Sequence, residues 1–145
     1  MRILKTLLVI SALGLTSVIT NAQCNPSEII NLCVPNLPGS FMYLKSYEVN
    51  TKGGQLEKVE YSYPFAKGTD YLINLCPQGS SGPGMIVTLF DFKRNEIATS
   101  VIDGQYVSAI VFSCKTTGIY YLAYTFDKSS TNCGGSVIGL KKSNS

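Results

Sequence analysis

The chain has 145 residues, enough for one domain built around a single hydrophobic core. It contains no histidine, which excludes serine–histidine and cysteine–histidine catalysis and removes the commonest metal ligand. The formal net charge of +3 falls to +1 without Arg2 and Lys5, so we expect no electrostatic surface for nucleic acid or for an anionic membrane.

Residues 1–22 have the pattern of a secretory signal peptide. A basic start precedes an apolar run over residues 7–15, and Thr20-Asn21-Ala22 supplies small residues for cleavage near Ala22. The run is too short to remain as a membrane span, and no longer apolar stretch follows it. Because Gln23 precedes Cys24 where a lipoprotein signal needs a small residue, we expect a secreted, periplasmic or cell-surface protein without a lipid anchor.

The next segment, residues 23–40, is an N-terminal lead-in with the signals of a short helix. Asn25 is a suitable N-cap and Pro26 suits the first helical position. The helix would end near Cys33, because Pro35 and Pro38 prevent its continuation. An irregular lead-in is the alternative, because short isolated helices are marginal.

From residue 41 to residue 142 the chain reads as short strands separated by turn residues. We predict an all-β fold, an eight-stranded antiparallel β-sandwich or jelly roll, followed by a disordered tail over residues 143–145. The predicted strands are Phe41–Val49, Leu56–Phe65, Thr69–Cys76, Met85–Phe92, Glu96–Val101, Val107–Cys114, Ile119–Phe126 and Ser136–Lys141.

The most hydrophobic stretch is residues 107–126. A short linker from Lys115 to Gly118 joins its two apolar halves, which predicts an antiparallel hairpin. In the second half Tyr120, Leu122, Tyr124 and Phe126 share one face, and bulky residues also occupy the other. This strand is therefore expected inside a sheet.

Several segments resemble the bacterial pre-peptidase C-terminal domain and related β-sandwich modules. The similar segments are Lys67-Gly68-Thr69-Asp70-Tyr71, the hairpin from Leu89 to Ala98, and Gly118-Ile119-Tyr120-Tyr121-Leu122. The resemblance covers residues 41–140 and implies a secreted accessory module. Its motifs are structural, and we expect no attached catalytic domain.

Five cysteines lie beyond the signal segment, and in an exported protein we expect disulfides rather than metal ligands. The odd number leaves at least one thiol free or bonded to another molecule. In the usual jelly-roll order the third strand lies antiparallel to the last, which predicts a Cys76–Cys133 bond. Cys24 and Cys33 would pair with each other, or one of them would reach Cys114.

The candidate functional residues are few. Five carboxylates lie near predicted turns, where solvation explains them, although turn oxygens could also hold calcium: Asp70, Asp91, Glu96, Asp103 and Asp127. Most tyrosines are expected to pack in the sheets. The sharper hypothesis is that Tyr61, Tyr63 or Tyr121 line an exposed face that binds glycan or protein.

We therefore predict a non-catalytic secreted or envelope module without a cofactor, whose partner is a glycan or an envelope or secreted protein. A carbohydrate-binding module is the alternative, with a tyrosine-bearing sheet face or the strand-end loops as its site. A small hydrolase that uses carboxylates is the third hypothesis, and it would need two carboxylates facing one substrate.

Overall fold

The computed structural model describes residues 23–79, 84–127 and 131–142. The predicted signal peptide, the predicted tail and residues 80–83 and 128–130 lie outside this part of the chain. One helix, α1 (Pro26–Cys33), and a short 3₁₀ turn (Val34–Asn36) precede the strands. The strands are β1 (Met42–Asn50), β2 (Val59–Phe65), β3 (Thr69–Pro77), β4 (Met85–Phe90), β5 (Glu96–Thr99), β6 (Val101–Ile102), β7 (Gln105–Tyr106), β8 (Ala109–Ser113), β9 (Gly118–Phe126) and β10 (Cys133–Lys142).

Two antiparallel four-stranded sheets form the sandwich. Sheet 1 has the order β1-β10-β3-β8, and sheet 2 has the order β2-β9-β4-β5. Strands β6 and β7, of two residues each, form a separate hairpin with its turn at Asp103-Gly104. The prediction of an all-β sandwich is confirmed, with ten strands in the described ranges rather than eight. Without the small hairpin, the strand order is that of a jelly roll.

The core lies between the two sheets and consists of alternate residues from their inner faces. Tyr124, Phe65, Ile73, Leu89 and Leu122 are its largest fully buried side chains. Phe65 stacks on Tyr71 with ring centroids 4.0 Å apart, and Tyr120 lies 5.2 Å from Phe65. The predicted apolar face of the Ile119–Phe126 strand is therefore the inner face of sheet 2, and β9 lies between β2 and β4 as expected.

The predicted hairpin of residues 107–126 is wrong. Strand β8 pairs with β3 in sheet 1, while β9 pairs with β2 and β4 in sheet 2. The linker from Lys115 to Gly118 therefore crosses from one sheet to the other. A short linker between two apolar runs fits both connections, because periodicity identifies strands but not their partners.

The helix signals at the N-terminus are confirmed. The Asn25 side chain accepts a hydrogen bond from the Glu28 backbone N–H at 3.4 Å, and Pro26 begins α1. The helix lies on the outer face of sheet 1, where Ile30 and Cys33 pack against Cys76 and Val137. An eight-residue helix would be marginal alone, so this packing is what stabilises it.

The predicted disulfides are wrong, although the predicted antiparallel pairing of the third and last strands is present. The bonds are Cys24–Cys133 and Cys33–Cys76, with Cα–Cα distances of 5.5 and 6.1 Å. Cys76 lies opposite Gly135, two residues from Cys133. Such a diagonal pair is about 7–8 Å apart, beyond the usual reach of a disulfide. The cysteines at the two ends of α1 take these two partners instead.

Candidate functional site

A groove of about 720 Å³ lies between α1 and the edge of sheet 1. It forms because β8 covers only the first part of β3: the last paired residue is Asn74, and the Leu75 N–H then donates to the Ser108 carbonyl. The end of β3 is thus open on that side, and α1 lies above it. A volume of this size is within the range of ligand pockets.

Among the described residues, the groove lining is uncharged and combines apolar side chains with hydrogen-bonding groups. Its side chains include Ile29 and Leu32 from α1, the Cys33–Cys76 disulfide, and the polar residues Asn36, Asn74, Gln78 and Ser108. Leu32 is 72 % exposed, although it is a large apolar residue. Three amides and a hydroxyl offer both donors and acceptors, which is the chemistry that recognises a neutral, hydrogen-bonding ligand.

Local contacts position the polar groups of the groove. The Asn74 amide donates to the Cys33 sulfur at 3.3 Å, so the disulfide orients this side chain. The Asn36 amide donates to the Leu32 carbonyl at 3.1 Å, where α1 ends. The backbone N–H of Gln78 donates to the Cys133 carbonyl at 2.9 Å. Both disulfides therefore hold backbone that carries groove residues.

The structure does not bring the three predicted tyrosines onto one face. Tyr61 and Tyr63 point to the inner side of sheet 2, at the open edge beside β1, and pack against the core. Tyr61 stacks on Tyr47 at 4.3 Å, and its hydroxyl donates to the Glu48 carbonyl at 2.6 Å. Burial raises the pKa of Tyr61. These two tyrosines therefore pack within the sandwich, as the sequence analysis expected for most tyrosines.

Tyr121 lies on the outer face of sheet 2, opposite Phe90 and Ser62 in the register. The Arg94 guanidinium covers its ring, with Cζ 3.6 Å from the ring centroid. Arg94 also forms a 2.7 Å ion pair with Glu60, and this hydrogen bond lowers the pKa of Glu60. The ring face that a sugar would stack on is therefore occupied by a residue of the same chain.

The turn that carries Arg94 is organised by Asp91. The Asp91 carboxylate accepts hydrogen bonds from the backbone N–H groups of Lys93 and Asn95 and from the Asn95 amide, at 2.8–2.9 Å. The Asn95 amide contributes most to lowering the pKa of Asp91. Arg94 itself has a φ of +67°, which places its side chain over sheet 2. This carboxylate therefore serves the turn.

The other predicted carboxylates lie in separate local networks. Asp70 accepts from the Ser113 hydroxyl at 2.6 Å, and Asp127 accepts from the Tyr106 hydroxyl at 2.8 Å. Glu96 and Asp103 are exposed and line a second groove, between β5 and β8. Within the described ranges, no group of three or more histidine, cysteine, aspartate or glutamate residues is placed to hold a metal ion.

Cys114 is the one unpaired cysteine and is 2 % exposed. Its thiol donates to the Thr116 carbonyl at 3.2 Å and lies 3.7 Å from the Tyr120 hydroxyl, which also donates to Thr116. Burial and the contact with Cys114 raise the pKa of Tyr120 to about 12. The thiol thus helps to hold the linker that crosses between the two sheets, and it is not accessible to solvent.

Sequence reasoning did not single out the groove residues. The available signal was Asn74, a polar residue within the apolar run of β3 from Tyr71 to Cys76. A polar side chain in such a run needs a partner or an opening. Its role depends on α1 and the Cys33–Cys76 bond, whose positions the strand pattern does not contain.

No protein-family model matches the chain, and no curated protein matches it significantly. Among the residues that the structure describes, no helix is both long and apolar enough to span a bilayer. The two disulfides are typical of proteins that fold in an oxidising compartment.

Proposed function

We propose that this protein is an exported, non-catalytic binding module and that the groove between α1 and β3 is its ligand site. The uncharged lining of amides, a hydroxyl and exposed apolar side chains is the observation that carries the proposal. The predicted cleavage near Ala22 would deliver the domain to the envelope or beyond it. The pre-peptidase C-terminal resemblance agrees with an accessory role.

The same lining favours carbohydrate as the ligand class. Sugar hydroxyls pair with side-chain amides, and the apolar faces of the ring pack against aliphatic groups such as Leu32 and Ile29. The sugar would then bind in the groove at the end of β3. A tyrosine-bearing sheet face is the less suitable site, because Arg94 covers the Tyr121 ring. An extended neutral peptide from an envelope or secreted protein has similar hydrogen-bonding groups and is the second candidate ligand.

A glycan array followed by calorimetry tests the proposal. We expect at least one neutral glycan to bind, and Leu32→Lys to weaken that binding at least about 10-fold, because it places a charge in an uncharged site. Leu32 is largely exposed, so the domain should fold normally. Ile119→Lys, at an exposed apolar residue on sheet 2, is the matched control and should bind like the unmodified protein.

The outcomes separate the candidate functions. Binding of neutral peptides but not of glycans, with the same loss in Leu32→Lys, would support the groove and identify a protein ligand. A ligand that binds both lysine variants equally would exclude the groove. Glycoside hydrolysis that a single Asp70→Asn or Asp127→Asn change abolishes would contradict the non-catalytic assignment.

A further inference from the structure

The sandwich has four edge strands, and three of them carry features that discourage pairing with another chain. Strand β1 has a register shift between Tyr43 and Lys45, with a lysine at that point. Strand β2 contains Pro64, which lacks a backbone donor. Strand β5 has only four residues, begins with exposed Glu96 and contains a bulge in its pairing with β4. Bulges, prolines and charges are the usual protection of sheet edges.

The fourth edge strand, β8, has none of these features. Its five residues, Ala109–Ser113, include no charged residue and no proline, and its pairing with β3 shows no register shift. Val111, at its centre, is 57 % exposed. Among the described residues no strand pairs with its outer side. An unprotected apolar edge of this kind is a template for another strand.

The surface beside β8 is an apolar groove of about 610 Å³ with acidic residues. It runs between β5 and β8 and is lined by Ile97, Ile102, Val107 and Val111 together with Glu96 and Asp103. No lysine or arginine in the described part of the chain lines it. A fitting partner is therefore an extended apolar strand with a basic residue beside it. The β8 segment itself has this pattern, because exposed Lys115 follows Ala109–Ser113 almost directly.

We propose that β8 is the interface of a homodimer, in which the β8 strands of two copies pair antiparallel around Val111. Residues that precede the centre in one copy then face residues that follow it in the other. Lys115 of one copy lies opposite Val107 of the other, in the groove that carries Asp103. Sheet 1 of each copy would join into one eight-stranded sheet, and the two-fold axis closes the assembly without leaving a β8 edge.

The backbone geometry of β8 suits this pairing. The Ser108 carbonyl and the Cys114 N–H both bond to β3. Even-numbered residues of this segment therefore direct their backbone N–H and C=O groups toward β3. Alternate residues of a strand direct these groups to opposite sides. Ala109, Val111 and Ser113 therefore present theirs to the outer side, where a second β8 would meet them.

Analytical ultracentrifugation from micromolar to millimolar concentration tests the dimer. We expect reversible, concentration-dependent dimerisation of the unmodified protein. Val111→Lys should weaken it at least about 10-fold, since a lysine protects an edge and repels its own copy across the axis. Ile119→Lys is the control and should dimerise normally. A monomer at every concentration, or a dimer that Val111→Lys does not weaken, would overturn the proposal.

Cysteine cross-linking tests the register. Opposite residues in a hydrogen-bonded antiparallel pair have Cα atoms about 5.5 Å apart, within disulfide range. Val111→Cys should therefore oxidise to a covalent dimer, with a bond between the two introduced cysteines in the peptide map. Ala109→Cys faces Ser113 of the other copy and should cross-link at least about 10-fold more slowly. Equal rates for the two variants would contradict pairing centred on Val111.

Discussion

At the scale of single residues, the closest constraint lies where α1 meets β10. A Cβ added to Gly135 would collide with Cγ1 of Ile30, and one added to Gly134 would lie 2.8 Å from the Cys76 carbonyl oxygen. These two glycines let the helix and the neighbouring strand approach β10 closely. The groove depends on Gly135, because α1 forms one of its walls.

Gly135→Ala should lower the free energy of unfolding by about 1–3 kcal/mol, because the new methyl group overpacks this contact. Urea denaturation with the disulfides intact measures the loss. Gly118→Ala, where no atom lies within 4 Å of the added Cβ, is the matched control and should be close to neutral. In an Ile30→Ala background the cost of Gly135→Ala should fall by at least about 1 kcal/mol. An unchanged cost there would mean that Ile30 is not the obstacle.

At the scale of elements, the strands could be located from the sequence because their residues alternate between core and solvent. The residues of β9 even indicated its central position, since both faces carry bulk. The partners of β8 could not be located, because the linker before β9 is as short as a hairpin loop. The N-cap and proline signals sufficed for α1, but nothing in its eight residues says which sheet it covers.

The residues of the candidate site could not be identified from the sequence, because they come together only through tertiary contacts. Asn74 lines the groove beside the Cys33–Cys76 bond, where its amide donates to the Cys33 sulfur, and the strand pattern does not predict that bond. The Cys76–Cys133 prediction had the correct strands and missed a two-residue offset. Tyr61 and Tyr63 have the alternation of an exposed stripe, but the same alternation faces inward when that side of the sheet packs.

Removing the Cys33–Cys76 bond tests how α1 is held. The double variant Cys33→Ser with Cys76→Ser should lose up to about 4 kcal/mol of unfolding free energy in the chain-entropy model. Urea denaturation without reductant measures this loss. With reductant neither protein retains a disulfide, so their midpoints should converge. Peptide mapping of the unmodified protein should find Cys24 with Cys133, and a Cys76–Cys133 fragment would contradict the structure.

At the scale of the whole molecule, the core contains three buried tyrosines whose pKa is raised: Tyr47, Tyr120 and Tyr124. Tyr124 is fully buried, its hydroxyl donates to Ser136 at 2.9 Å, and burial raises its pKa. Burial also raises the pKa of Tyr47 to about 12, and Tyr120 is raised to a similar value. Each of these groups must stay protonated for the two sheets to remain packed.

The fold should therefore lose stability in alkali. Below about pH 9 these tyrosines are protonated in both the folded and the unfolded state. Between about pH 10 and 12 the unfolded chain ionises first, and each buried tyrosine removes about 1.4 kcal/mol per pH unit. Tyr124→Phe should reduce the slope of unfolding free energy against pH by the contribution of one tyrosine. Urea denaturation after brief equilibration at each pH measures this slope. Tyr43→Phe, at an exposed tyrosine, is the control, and equal slopes in the two variants would contradict the burial argument.

The Cys24–Cys133 bond has a mechanical consequence. A pull applied before Cys24 and beyond Lys142 travels through this covalent bond directly into β10, so residues 25–132 carry no tension. Strand β10 bears the load, and because its ten residues at about 3.3 Å each already span about 33 Å in the folded sheet, pulling adds little length. If both flanks were tethered, the domain would behave as a nearly inextensible link, and its groove would keep its shape under load.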